Sequence, residues 1–295
     1  MNAEPLESMH RLAGELLEAG RLEDAERVYR EVAAADPGWA APLYNLGLVY
    51  KRMCRWEDSA RYSRLAAGLD PDDAAAWWNL GIAATALEPW AEARTAWRQC
   101  GIAIPDGEGP PRMAFGPIPV RLFANGEVVW CDRIDPARAI VRNVPMAESG
   151  RHAGDLLLHD GQPDGYRIRN GVRVPVFNEI QRLRESGAST YVAELRATTA
   201  ADGAAVLQLF ADHGLAAEDW TASVGILCEL CDRGVPHSSR EHRSRAPWRP
   251  ERRVAISSAD PGPVHRLLAE WEKAGAGRTV DAVSCVLPAS GVEAP

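Results

Sequence analysis

Apolar residues recur three and four positions apart through the first hundred residues of the chain, with charged residues between them. This spacing predicts a succession of short amphipathic helices. The pattern stops at 106–111, where Asp106, Gly107, Glu108, Gly109, Pro110 and Pro111 cannot support a helix. From 113 to about 183, short apolar runs alternate with polar residues at 120–123, 127–131, 139–144, 155–159 and 173–177. Asn125-Gly126, Ser149-Gly150, Asp160-Gly161, Asp164-Gly165 and Asn170-Gly171 punctuate them and read as hairpin turns. Beyond 186 both periods occur: strands are expected at 190–197, 223–229, 253–257 and 280–287, and helices at 200–213 and 263–274. Three domains follow from these shifts, at 1–108, 113–185 and 186–295.

The helical part repeats itself. Pro37, Pro71 and Pro105 are each 34 residues apart, and each stands where one helix must stop before the next begins. Leu46-Gly47 and Leu80-Gly81 fall in the same register, with Leu12-Ala13 in the first unit. Ala25, Ser59 and Ala93 supply a small position on each second helix, and Tyr29 and Trp97 a large one, at which Ser63 departs. Val32, Ala66 and Cys100 supply the next packed position. Gly20 and Glu88-Pro89 break the first and third hairpins, and Cys54-Arg55 stands at that place in the second.

On these residues the N-terminal third resembles the tetratricopeptide repeat family, in three helix-turn-helix units. The resemblance implies an α-solenoid whose first helices line a concave groove for a peptide or protein. The groove positions would be His10, Arg11, Tyr44, Asn45, Leu48, Lys51, Arg52, Trp78, Asn79 and Ile82. Such a lining suits a segment carrying an acidic group and a bulky apolar side chain. Members of the family that capture a C-terminal carboxylate use Lys or Arg from the third repeat, where this chain has Ala75 and Asn79. Asn45 and Asn79 also suit hydrogen bonds between repeats, and Tyr44 and Trp78 suit packing between helices. A three-unit solenoid leaves its last hairpin uncovered, so the C-terminal part is expected to pack on repeat three.

The fold class is therefore multidomain α + β. The alternating runs at 113–185 predict a small antiparallel barrel, read as SH3-like. The order βαββαβ at 186–295 is the split βαβ or ferredoxin-like arrangement. Neither fold names a function.

Composition fits a folded protein, with 46% hydrophobic and 25% charged residues and ten Trp. Lys51 and Lys273 are the two lysines among 33 basic residues, a bias that suggests a GC-rich bacterial source. A net charge of −8 argues against a general nucleic-acid or acidic-membrane binder. No leader pattern and no run of 18 apolar residues is present, which predicts a cytoplasmic protein with reduced thiols.

One cluster carries candidate chemistry. Between 228 and 252, in an insertion of the last domain, stand Cys228, Cys231, His237 and His242, the ligand count of a closed tetrahedral zinc site. The C-x2-C and H-x4-H intervals lie in zinc-finger ranges, while the five residues between them are fewer than a standard finger has. Gly234 suits a tight turn that brings both thiolates to one side. Alternatively, Cys228 is a core residue on the face of Val224 and Ile226, with the other three in a polar loop. Four protein ligands leave no open position, so the implied role is structural. From Asp232 to Arg253 seven Arg face three acids, with Trp248 beside them, a composition that could contact phosphate or RNA. His152, Asp155, His159 and Asp160 read as polarity at turns and strand ends. No phosphate loop, nucleophile elbow, H-E-x-x-H or dinucleotide fingerprint occurs. The sequence thus reads as an adaptor that binds a partner through its repeats and carries a structural zinc. A metal-dependent enzyme or metal carrier using the Cys-His cluster is the first alternative, and a nucleic-acid-associated factor using the Arg-rich stretch is the second.

Overall fold

The computed structural model describes residues 3–169, 172–223 and 248–290. The chain divides into two compact units, residues 1–114 with 134–137, and 115–133 with 138–295.

The first unit holds three helical hairpins: α1 (Ala3–Glu18) with α2 (Leu22–Ala35), α3 (Ala40–Arg52) with α4 (Trp56–Leu69), and α5 (Ala74–Leu87) with α6 (Trp90–Gln99). Each helix packs on its neighbour in sequence, and α1 with α3, and α3 with α5, also meet. These are tetratricopeptide-like helical repeats. The small residue at every 34th position decides how closely the two helices of a hairpin approach. A Cβ on Gly47 would collide with the Ser63 hydroxyl, and one on Gly81 would stand 2.9 Å from the Trp97 ring. Ser59 Oγ donates to Gly47 O (2.9 Å) across the same crossing. Leu46 and Leu80 are buried, whereas Leu12, at the same position of the first repeat, is 48% exposed.

All three hairpin turns carry a left-handed residue, again at 34-residue spacing: Gly20 (φ 72°), Cys54 (φ 54°) and Glu88 (φ 71°). After α6 the breaker-rich linker is held by side chains of the third repeat. Buried Arg94 donates from Nε to Pro105 O (2.8 Å), from Nη1 to Trp90 O (3.3 Å) and from Nη2 to Gly109 O (2.6 Å), and Arg98 donates to Asp106. Burying a guanidinium is tolerated because its donors meet backbone carbonyls, two of them in the linker, where no helix supplies a partner.

The second unit begins with five strands, β1 (Pro117–Arg121), β2 (Val128–Arg133), β3 (Arg138–Val141), β4 (Leu156–Arg169) and β5 (Val172–Arg184). They close into a barrel: successive strands pair antiparallel, and β5 returns parallel to β1 at Val120↔Phe177. Val120, Leu122, Val129, Cys131, Val141, Leu157 and Phe177 fill it. Two expected turns are corrected here. Asp160-Gly161 and Asp164-Gly165 do not reverse the chain. They lie within β4, where the pairing with β5 shifts register and Gly161 and Gly165 have φ of 75° and 88°. Asp-Gly supplies the left-handed residue that either a hairpin turn or a bulge needs, and the long β5 partner selects the bulge.

A four-stranded sheet follows, with β6 (Ser189–Arg196), β7 (Ala217–Asp219), β8 (Glu251–Ser258) and β9 (Thr279–Leu287) in the order β7-β8-β6-β9. Helices α7 (Ala200–Asp212) and α9 (Pro261–Lys273) share a core with it through Val206, Phe210, Leu267 and Trp271. Thr199 caps α7 in a capping box with Asp202, and Asp260 caps α9. The second strand stands at 217–219, and a short helix α8 (Trp220–Ser223) follows it. Of the strand expected at 223–229, Ser223 is in that helix and the rest lies outside the described residues. Barrel and sheet share a buried cluster of Val144, Ala153, Val192, Trp220 and Ala255, and Trp220 Nε1 donates to Val144 O (2.9 Å).

Candidate functional site

The first helices of the three repeats, α1, α3 and α5, carry the residues expected to line a groove. Between α1 and α3 the chain leaves an open pocket of about 460 Å³. His10, Arg11, Asn45, Leu48 and Arg52 line it, joined by Glu15, Glu18 and Tyr29.

The pocket is organised around His10. The Asn45 amide nitrogen stands 3.0 Å from His10 Nε2. An amide N–H can only donate, so with this amide orientation Nε2 accepts and Nδ1 carries the ring proton. The ring lies 4.7 Å from Trp39 and 5.4 Å, edge-on, from Tyr29. Burial lowers the His10 pKa, so the imidazole is neutral at pH 7. Burial, then the charge of Glu18, pushes the Tyr29 hydroxyl up to about 12. Arg52 Nη1 donates to Leu17 O (2.9 Å), which fixes that guanidinium across the α1–α3 seam. Two cations and two carboxylates thus flank an apolar floor.

The acids were not anticipated. Glu15 and Glu18 follow Arg11 by four and seven residues on α1, the spacing of one helix face, and that is the signal that could have found them.

The remaining expected groove residues are placed differently. Tyr44 packs on the Leu43, Ala66, Ala67 and Ala76 cluster. Trp78 is half-buried and meets Trp97 edge-on at 5.2 Å. Lys51, Asn79 and Ile82 are buried, and Asn79 Nδ2 has no hydrogen-bond partner among the described residues.

The zinc candidates Cys228, Cys231, His237 and His242 lie outside the described residues, as do Arg233, Arg240, Arg243 and Arg245. Among the described residues no group of three or more His, Cys, Asp or Glu is placed to hold a metal ion. Arg252, from the same stretch, is committed internally: it donates to Asp219 and lies 4.4 Å over the Trp248 ring.

The second polar cluster is a clasp between barrel and sheet. Buried Asp155 accepts from the backbone N–H of His152 (3.0 Å) and Ser186 (2.9 Å) and from Arg182 Nη1 (3.3 Å). His152, beside Glu185 and Thr190, has a pKa lowered by burial. His159 is fully buried in the barrel; its Nδ1 accepts from Gly161 N (3.0 Å), and burial, with Arg133 nearby, lowers its pKa to about 3.

No family model matches the chain, and no curated protein matches it. Solved structures similar to its N-terminal third include the second TPR of Spaghetti (RPAP3) bound to the HSP90 peptide SRMEEVD. It is 23% identical over 32% of this chain and 88% of that one, with a TM-score of 0.32. The Yersinia enterocolitica type III secretion chaperone SycD, in complex with a peptide of the translocator YopD, is 18% identical over 34% of this chain and 76% of that one (TM-score 0.33). PcrH in complex with the chaperone binding region of PopB is 16% identical over 34% and 81% (TM-score 0.33). Among the described residues no helix is long and apolar enough to cross a membrane.

Proposed function

We propose that the protein is an adaptor that binds a peptide or protein segment in the groove of its helical repeats. One observation carries this reading: His10, Arg11, Asn45, Leu48 and Arg52, on two helices, converge on a single open pocket. An extended segment entering it would set an apolar side chain against Leu48 and Tyr29. Arg11 and Arg52 would receive an acidic group, and Glu15 and Glu18 a basic one or a backbone N–H. The partner that fits is therefore a mixed-charge segment with a bulky apolar residue, rather than a uniformly acidic tail. On the same footing we read the barrel as SH3-like, from its five closed strands. We read the sheet as ferredoxin-like, from its order of second, third, first and fourth strand.

Selection of a displayed random-peptide library on the full chain tests the reading. Enriched peptides should share an apolar residue flanked by charge. Arg11→Ala and Arg52→Ala should each weaken them about tenfold or more, as loss of a charge-assisted hydrogen bond does. Binders indifferent to both changes, or no enrichment, would overturn it.

A further inference from the structure

The connection between β2 and β3, Ile134–Ala137, belongs to the same compact unit as the repeats. Its backbone is tied there, with Met113 N–H donating to Ile134 O (2.7 Å). Asp135 is fully buried, as is Ala137, and Asp135 Oδ1 accepts from Ala137 N (2.9 Å), a turn that fixes the carboxylate.

The groove of that unit is unequal along its length. Its α1–α3 half is open, whereas in the α3–α5 half Lys51 is 6% exposed, Asn79 3% and Ile82 not at all. The first helices of a three-hairpin solenoid form one layer with the second helices behind them. Burial on their concave side calls for an occupant from elsewhere in the unit.

Charge narrows the candidates within the unit. A buried ammonium or carboxylate persists only when paired. Among the described residues, the buried charged side chains of this unit are Lys51, Arg94 and Asp135. Arg94 is spent on the carbonyls of Trp90, Pro105 and Gly109. Lys51 and Asp135 each have an interaction partner.

We propose that Ile134–Ala137 is an internal ligand of the α3–α5 half of the groove, with the Asp135 carboxylate paired to the Lys51 ammonium. The inference rests on the groove reading above and adds regulation to it. An outside segment has the α1–α3 half at once. It gains the other half only by presenting its own carboxylate to Lys51 and displacing Asp135.

A charge cycle in the full chain tests the pairing without any outside partner. Lys51→Asp and Asp135→Lys should each lower the folding equilibrium constant at least tenfold, and the double reversal should recover most of that loss. Should either reversal prevent folding, Lys51→Met, Asp135→Asn and their combination give the same cycle with neutral residues. The second readout is a fluorescent synthetic peptide with the sequence of residues 132–139. It should bind the Asp135→Lys or Asp135→Asn chain at least tenfold more tightly than the unaltered chain, and lose that gain when Lys51→Met is added. Strictly additive effects in the cycle, or equal peptide binding to all chains, would overturn the proposal. Either result leaves the α1–α3 pocket to be judged by its own peptide selection.

Discussion

Gly81 faces the Trp97 indole so closely that a Cβ at Gly81 would lie 2.9 Å from three atoms of the ring. Trp97 has no room to retreat, being fully buried and donating from Nε1 to Thr85 Oγ1 (3.3 Å). Gly81→Ala sets two effects against each other: alanine gains about 1 kcal/mol in helix propensity, and overpacking costs about 1–3 kcal/mol. The clash should win. We expect the variant to unfold at lower urea concentration than the parent, and an unchanged midpoint would show that the hairpin can open without cost.

The turns at Gly20, Cys54 and Glu88 share one left-handed conformation, yet only the first has the residue suited to it. An L-residue there costs roughly 1–2 kcal/mol, partly offset by the extra unfolded-state freedom that glycine brings. Glu88→Gly should therefore raise stability by up to about 1 kcal/mol, and Gly20→Ala should lower it by a similar amount. Thermal unfolding of the two variants gives the sign directly. A fall in Tm for Glu88→Gly would mean that the Glu88 side chain contributes more than its backbone strain removes.

His159 makes the barrel sensitive to acid. Its folded pKa, about 3, lies below the unfolded value near 6.5, so the unfolded chain binds the proton first as pH falls. The stability from keeping this ring neutral is complete above pH 6.5. It declines by about 1.4 kcal/mol per pH unit and is lost as pH falls through 3. His159→Leu should flatten the stability profile in that window. NMR titration of the His159 ring at pH 5 should find it still neutral, and a charged ring there would contradict the assignment.

Arg94 holds the linker to the third repeat through three carbonyls. Arg94→Met keeps the stem and removes all the donors. With Pro105 and Gly109 exposed, water recovers part of the loss, so about 2 kcal/mol is expected rather than the sum of three bonds. Limited proteolysis should then cut near 106–110 faster than in the parent. Equal cutting rates would mean the linker is held by other means.

The Cys228, Cys231, His237 and His242 set rests on sequence spacing alone. If it is a structural zinc site, protein purified without a His tag should carry zinc in proportion to chain. Cys228→Ser should lose both the metal and thermal stability. Metal-free, fully stable parent protein would end the zinc reading.

The legible part of the fold was the part with a period. The 34-residue register of Pro37, Pro71 and Pro105 fixed three hairpins within a few residues, because each repeat meets the same packing problem and answers it with the same residue types. Local signals were weaker guides where pairing is non-local. Asp160-Gly161 and Asp164-Gly165 suit a turn as well as a bulge, and β5, many residues away, decides between them. The strand at Ala217–Asp219 is three residues long and offered no alternation to read.

For the groove, the resemblance to the repeat family named ten positions on the first helices, and five of them line one pocket. It could not say which of those would stay open. His10, Arg11 and Lys51 look alike to a sequence, each a polar residue on a first helix. Whether such a residue faces solvent or is buried depends on which distant segment lies over it. Lys51 is buried and His10 lines an open pocket, a difference that their places in the sequence do not reveal and only the tertiary structure holds.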